Sequence, residues 1–325
     1  MEQKMSKLTS LYNVLDKNLG KGGMGYVWLC ENKITKQKAA IKILKNEYTL
    51  VEKNRFQNEI LNLQNINSKY VVKYYDSSFN ENEQWISMEY VEGESLKQCI
   101  SKQKYLDLET ALDYAKMIAQ ALSDIHNMNL IHRDLKSSNV IISTNGDIKI
   151  IDFGISLSSE SERLTKENNV IGTAEYLAPE LIQNTELASF QSDMYSFGIL
   201  LFEMLEGSVP FTGHEKLMAH INNKIPNLTR LNTMIPQSVQ NIINKCCAKL
   251  PNNRYENMMY VLDDLKHALD KDKIIEKKIN PDKKQRKSII EMFENKTFTL
   301  GLLITGSLLL IITLVCLILL TKGII

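Results

Sequence analysis

The spacing of apolar positions changes several times along the chain. From Tyr12 to Leu44 the residues run in short β-prone stretches: Tyr12-Asn13-Val14-Leu15, Tyr26-Val27-Trp28-Leu29 and Ala39-Ala40-Ile41-Lys42-Ile43-Leu44. The glycines of Leu19-Gly20-Lys21-Gly22-Gly23-Met24-Gly25 mark a turn between the first two. Residues 50–65 shift to helical spacing around Phe56, Ile60 and Leu63, and two further strands are predicted at 71–75 and 84–90. Over residues 108–128 the positions Leu112, Ala115, Ile118, Ala119, Leu122 and Ile125 repeat every three to four residues, which predicts a long helix. Val140-Ile141-Ile142-Ser143 and Ile148-Lys149-Ile150-Ile151 flank Asn145-Gly146, a hairpin signal, because that pair favours the turn that matches strand twist. Beyond Glu180 the pattern is mainly helical to about Leu269, and no internal repeat is visible. The fold class is therefore α+β: a small β-rich lobe with one helix, then a larger helical lobe.

Two apolar runs need separate readings. Phe197-Gly198-Ile199-Leu200-Leu201-Phe202 is short, has Asp193 and Glu203 at its flanks, and reads as a core helix. Residues 300–320 are 21 positions without a charge. As a helix they would span about 30 Å, the thickness of a bilayer's hydrocarbon core. A transmembrane helix over 299–320 is the expectation. Before it, residues 269–298 read as a basic juxtamembrane linker, in which residues 271–287 hold Lys271, Lys273, Lys277, Lys278, Lys283, Lys284, Arg286 and Lys287 against Asp272, Glu276 and Asp282. Residues 1–20 are polar, so no signal peptide is expected.

Composition narrows this picture only slightly. At 325 residues with 44% hydrophobic and 24% charged positions, the chain is ordinary globular material. A formal net charge of +1 gives no reason to expect nucleic acid as a partner. Cys30, Cys99, Cys246, Cys247 and Cys316 are odd in number, lack metal-ligand spacing and read as free thiols of a reducing compartment, with the 246–247 pair buried on a helix.

The chemistry concentrates in Ile131-His132-Arg133-Asp134-Leu135-Lys136-Ser137-Ser138-Asn139 and the later Ile151-Asp152-Phe153-Gly154. One segment enters an arm of the predicted hairpin and the other leaves it, which brings Asp134, Asn139 and Asp152 together. The set offers a general base, a phosphate clamp and two metal ligands. Gly20-x-Gly22-x-x-Gly25 by itself also fits a dinucleotide fingerprint, but that motif opens a helix, and here β-prone residues follow. Glycine lets backbone N–H groups approach phosphate oxygens. Lys42 lies inside an apolar β run and needs an anionic partner, since a bare buried charge is very costly.

These motifs, in this order, resemble the catalytic loop and magnesium motif of protein kinases, and the resemblance covers residues 12–268. Gly-Gly-Met-Gly, Met-Glu-Tyr-Val-Glu-Gly-Glu-Ser-Leu and Val-Ile-Gly-Thr-Ala-Glu-Tyr-Leu-Ala-Pro-Glu are similar to those of bacterial transmembrane serine/threonine kinases. That family often carries an extracellular sensor after its membrane span. Only Thr321-Lys322-Gly323-Ile324-Ile325 follows the span here, so a sensor of that kind is not expected.

The resemblance implies a two-lobed kinase fold and transfer of the γ-phosphoryl group of ATP to Ser or Thr of protein substrates. It implies Asp134 as base, Lys136 on the γ-phosphoryl group, and Asn139 and Asp152 as ligands of Mg2+, with Mn2+ as a substitute. Lys42 would hold the α/β-phosphates and pair with Glu59. Leu19, Gly20, Lys21, Gly22, Gly23, Met24, Gly25, Tyr26 and Val27 would cover the nucleotide. Val27, Ala40 and Ile141 would sandwich the adenine, and the backbone from Glu89 to Val91 would bond its edge, with Met88 behind. Glu180 should pair with Arg254, Asp193 should brace the catalytic loop, and Thr173 should touch its aspartate and lysine. Arg133 and Thr165 are the regulatory pair: phosphorylated Thr165 would order the segment, with Glu167 replacing part of the effect. A kinase-domain dimer for trans-autophosphorylation and lipid contact through the basic linker are further expectations. So is a single-pass protein in the cell membrane with the kinase domain in the cytoplasm. The alternative is a membrane-anchored pseudokinase scaffold, which loss of Lys42, Asp134 or Asp152 would favour; all three are present. A small-molecule kinase is disfavoured by the Gly-Thr-x-x-Tyr-x-Ala-Pro-Glu segment, which shapes a protein-substrate groove.

Overall fold

Strands with apolar side chains on both faces need cover on both, and the first part of the chain supplies a helix for each. In the computed structural model the described residues are 6–22, 25–44, 50–81, 83–152, 173–231 and 233–283. β1 (Tyr12–Gly22), β2 (Gly25–Asn32), β3 (Lys38–Leu44), β4 (Tyr74–Phe79) and β5 (Gln84–Glu89) form one antiparallel sheet in the order β1-β2-β3-β5-β4. Cys30, Ile41, Ile43 and Trp85 share a face with Leu8 of α1 (Ser6–Leu11), a helix the sequence pattern did not announce. Buried Glu83 ties that helix down, accepting from the Lys7 and Leu8 N–H groups at 3.1 and 3.2 Å and from the Trp85 indole at 3.3 Å. On the other face, Leu44, Ile86 and Met88 join Phe56 and Ile60 of α2 (Leu50–Asn65).

The β1–β2 pairing runs Gly20 to Val27, Lys21 to Tyr26 and Gly22 to Gly25, so the glycines do sit between two strands. A Cβ on Gly25 would collide with the Ile43 carbonyl oxygen of the neighbouring strand β3. Gly23 and Met24 lie outside the described residues.

The strand expected at 71–75 begins at Tyr74 instead. Val71 bridges Ile150, and the Val72 N–H donates to the Ile150 carbonyl at 3.1 Å, so these two buried valines join the lobes together. Tertiary pairing overrides local β-propensity here.

The second lobe opens with a small sheet of β6 (Gly93–Ser95), β7 (Val140–Ser143) and β8 (Ile148–Ile150). The turn between β7 and β8 is wider than a two-residue Asn-Gly turn: the Gly146 N–H donates to the Ser143 carbonyl at 2.9 Å, and Gly146 takes a φ of 85°. The helices are α3 (Leu96–Gln103), α4 (Leu108–Asn127), α5 (Pro179–Gln183), α6 (Phe190–Glu206), α7 (Lys216–Asn222), α8 (Gln237–Cys246), α9 (Met258–His267) and α10 (Lys271–Ile274). Asp107 caps α4 by accepting from the Thr110 N–H at 3.0 Å.

α6 is buried at every position from Ser192 to Leu205, the signature of a helix at the centre of a lobe. Asp193 and Glu203, which flank the apolar run, are both inside this helix and buried. Cys246 and Cys247 lie against Gly198 of that helix, and the four described cysteines are free and buried, while Cys316 lies outside the described residues.

The compact unit runs on to Asp282, so the basic segment read as a linker from 269 begins as packed chain. The reason is Asn241 of α8, which is buried and polar: its amide donates to the Glu276 carboxylate at 3.2 Å and the Lys277 carbonyl at 3.0 Å, and its oxygen accepts from the Ile279 N–H at 3.1 Å. The Lys249 N–H likewise finds Asp282 at 2.8 Å. Residues 284–325, and with them the apolar run 299–320, lie outside the described residues. Among those described, no helix is long and apolar enough to cross a membrane.

Glu180 at the start of α5 and Arg254 before α9 form a two-pronged ion pair, 2.7 Å on each arm, with the Arg254 side chain fully buried. Burial would raise the Glu180 pKa, but the hydrogen bonds and charge of Arg254 outweigh it and hold the carboxyl below its usual value. Arg254→Met leaves that carboxylate without its partner and should lower unfolding stability by about 3–5 kcal/mol, read by urea denaturation. A loss under about 1 kcal/mol would show that the pair is not a support of this lobe.

Candidate active site

The site is assembled from both lobes. In the sheet, Lys42 on β3 lies opposite Val27 on β2 and Ile86 on β5, and directly opposed residues share a face. That face looks toward α2, and the Lys42 ammonium meets Glu59 of α2 at 2.7 Å and Asp152, just beyond β8, at 2.6 Å. Burial alone would lower the Lys42 pKa. The charges of Asp152 and Glu59 and the hydrogen bonds to both outweigh it and push it above the usual lysine value. Lys42 also holds Asp152 below its ordinary value, against the effect of burial. Glu59, less favoured, is pushed up to about 6 by burial.

The loop between α4 and β7 supplies the other half. Asp193 of α6 accepts from the His132 N–H at 2.8 Å, the Arg133 N–H at 2.9 Å and the His126 Nε2 at 2.8 Å. Those bonds hold Arg133 at a φ of 67°, a left-handed conformation costing about 1–3 kcal/mol. Asp152 also takes a left-handed φ, 57°. The Lys136 ammonium spans both Asp134 oxygens at 2.9 and 2.7 Å, and the Asn139 amide donates to the Asp134 carbonyl at 2.9 Å and its carboxylate at 3.1 Å. The Ile151 N–H donates to the Asn139 carbonyl at 2.9 Å, which sets Asp152 beside this group.

Asn139 turns its nitrogen to Asp134, which leaves its amide oxygen and the carboxylate of Asp152 as oxygen donors of the kind magnesium prefers. Among the described residues no three His, Cys, Asp or Glu side chains form a metal cluster. The remaining ligands would come from phosphate and water. The residues present therefore fit the expected cation.

Around the expected adenine position, Val27, Ala40, Val91 and Ile141 are half-buried, Met88 is buried, and Leu19 and Tyr26 are exposed. The Glu89 N–H is already committed to the Lys73 carbonyl at 2.8 Å, so an adenine edge would meet the carbonyl of Glu89 and the backbone of Val91. Gly20 lies on β1; of Lys21 and Gly22 only the backbone is described. Thr173 opens a turn over Thr173–Glu175, but its side chain, like Thr165 and Glu167 entirely, lies outside what is described. Arg133 is exposed, and among the described residues no carboxylate pairs with its guanidinium.

Several contributors escaped the sequence reading. His126 completes the Asp193 cluster, and Lys149 bonds the Glu89 carboxylate at 2.9 Å beside the hinge between lobes. Ser137, Tyr176 and Glu203 form a buried polar group under the loop. One signal for the last was available: a glutamate inside Leu200-Leu201-Phe202-Glu203-Met204-Leu205 needs a partner.

A lysine held between two carboxylates across two lobes, above an Asp-Lys-Asn cluster, is the arrangement of a phosphotransfer enzyme of the protein kinase class. The chain belongs to the protein kinase domain family, whose pattern matches residues 13–296. It is 36% identical over 290 residues to the serine/threonine-protein kinase PrkC of Bacillus subtilis, an alignment covering 87% of this chain and 44% of the relative. It is 33% identical over 269 residues to the probable serine/threonine-protein kinase PknB of Lactococcus lactis, with coverages of 81% and 43%. PknA of Corynebacterium glutamicum is 36% identical over 247 residues, with coverages of 73% and 52%. The chain thus spans about half the length of these relatives or less. Among solved structures, the crystal structure of Rad53 1-466 in complex with AMP-PNP superposes with a TM-score of 0.65 at 24% identity, covering 78% of this chain and 64% of that one, a likeness of fold.

The Asp193 cluster makes a prediction with a sign. Burial would raise the Asp193 pKa, but the bonds from His126 and the loop N–H groups hold it below the ordinary 3.8. The stability it adds is therefore fully present above pH 3.8 and lost as pH falls through its lower folded value. Asp193→Asn should be less stable at neutral pH, by about 1–3 kcal/mol, and should converge with the parent only at strongly acid pH. Equal stability of the two proteins at pH 7, measured by denaturant titration, would contradict this account of Arg133.

Proposed function

We propose that the chain is an active serine/threonine protein kinase, transferring the γ-phosphoryl group of ATP to hydroxyls of protein substrates. The observation that carries the reading is Lys42, bonded at once to Glu59 and Asp152. That lysine is oriented and charged before any nucleotide arrives, ready to take the α/β-phosphates. Asp134 accepts the proton of the incoming hydroxyl, and Lys136, already on its carboxylate, turns to the transferring group. Asn139 and Asp152 would hold Mg2+, with Mn2+ as a substitute, which when bound neutralises phosphate charge. Positioning and charge stabilisation then supply most of the rate. The Asp-Leu-Lys-x-x-Asn loop and the Gly-Thr-Ala-Glu-Tyr segment favour Ser/Thr over Tyr as acceptor. Asp134→Asn and Lys42→Ala should each lower transfer to a generic protein acceptor by about 10²-fold or more, the first through the base and the second through misplaced phosphates. Parent-like turnover in either variant rules the assignment of that residue out; absence of transfer by the parent would favour the scaffold alternative.

The same reading places the protein in the cell membrane by a single span over 299–320, with the kinase domain in the cytoplasm. Eight Lys/Arg between 271 and 287 and Lys296 precede the run and Lys322 alone follows it, and positive residues stay on the cytoplasmic side. ATP supply requires that side too. Linker lysines add lipid attraction of about 1 kcal/mol each near an anionic surface. Protease added to intact cells should spare the kinase domain; cleavage of that domain from outside would reverse the orientation.

Regulation by phosphorylation of Thr165 is the third part of the proposal, with trans-autophosphorylation through a kinase-domain dimer as its route. Exposed Arg133 beside the base is placed to receive a phosphate, which adds about −1.5 to −2 charge and takes paired bonds from arginine. Phosphatase treatment should lower activity in the parent and have little effect in Arg133→Ala. No change in the parent means no switch; an equal fall in both means a switch that bypasses Arg133.

A further inference from the structure

Phosphoryl transfer needs the base and the acceptor hydroxyl in one frame, and a buried polar cluster joins the two segments that provide them. Glu203 of α6 is 7% exposed. One of its carboxylate oxygens accepts from the Ser137 hydroxyl at 3.0 Å and the other from the Tyr176 hydroxyl at 2.6 Å. The two hydroxyl oxygens lie 3.1 Å apart. Each hydroxyl has one proton, so with Glu203 ionised both are used on the carboxylate and the third contact is an approach of oxygens, not a further bond. All three groups are buried, and each hydroxyl has the same carboxylate as its acceptor.

The location gives the cluster its meaning. Ser137 sits between Lys136 and Asn139, the two residues that bond Asp134, and opens the tight turn Ser137–Asn139. Tyr176 lies in the Gly-Thr-x-x-Tyr-x-Ala-Pro-Glu segment that shapes the protein-substrate groove, and its carbonyl accepts from Ser196 of α6 at 2.9 Å. Asp193 holds the start of the catalytic loop to α6, and Glu203 holds its middle to the same helix. The loop and the groove segment thus share one support.

We propose that Ser137 is a positioning residue, whose hydroxyl, through Glu203, locks the loop carrying Asp134 to the Tyr176 segment that presents the acceptor. This rests on the kinase reading above. A hydroxyl that only satisfied a buried carboxylate would affect stability and every activity alike. A positioning hydroxyl acts on transfer to protein and leaves nucleotide binding alone.

The test uses the full chain in detergent, with Ser137→Ala, Tyr176→Phe and the double variant. Measured are transfer to a protein acceptor, ATP hydrolysis without acceptor, KM for ATP, and the rise in Tm on adding ATP. Ser137→Ala should lower kcat for the protein acceptor about ten- to a hundredfold, since small misplacements cost that much. Its KM for ATP and nucleotide-induced Tm rise should match the parent, and ATP hydrolysis should fall much less. The double variant should lose less than the product of the two single losses, because both act through Glu203. Parent-like kcat in Ser137→Ala, losses that multiply in the double variant, or an equal fall in transfer and hydrolysis would each overturn the proposal. An inactive parent enzyme would instead remove the kinase reading beneath it.

Discussion

Two carboxylates buried on one central helix set the geometry of everything above them. Asp193 and Glu203 lie on α6 with almost no solvent, and a buried charge without partners costs several kcal/mol. The chain meets that demand with donors taken from the catalytic loop: the backbone of His132 and Arg133 at one carboxylate and the hydroxyl of Ser137 at the other. Arg133 accepts a left-handed φ as a consequence. The strain of about 1–3 kcal/mol is smaller than the cost of an unpaired carboxylate, so the loop conforms to the helix.

Lys42 does the corresponding work between the lobes. Its partners come from α2 and from the end of β8, so a single ammonium ties three elements together. Burial alone would push this lysine toward neutrality; two carboxylates within 2.7 Å reverse that sign. Packing supports the same joint: Val71 and Val72 pair with Ile150, and Lys149 reaches the Glu89 carboxylate. Lys42 is thus aligned by contacts that also fix the lobes near one another.

What the sequence determined by itself was local. Helical spacing around Phe56, Ile60 and Leu63 gave α2 its bounds, and the glycines before Tyr26 were readable as a turn between strands because β-prone residues follow them. The Asp-Lys-Asn spacing in the loop and the Lys42 run were legible because each depends on residue type at short separation; the pairing of Glu180 with Arg254, 74 positions apart, was expected only from the family resemblance. The tertiary structure decided what depends on distant partners. Val71 and Val72 left the predicted strand for Ile150; residues beyond 269 docked where the Asn241 amide donates to Glu276 and Lys277. The helix α1 was invisible because its N–H groups are held by Glu83, 75 or more positions away. The physical reason is the same in each case: a buried polar group or a β-prone pair must be satisfied, but sequence alone does not say by which part of the chain.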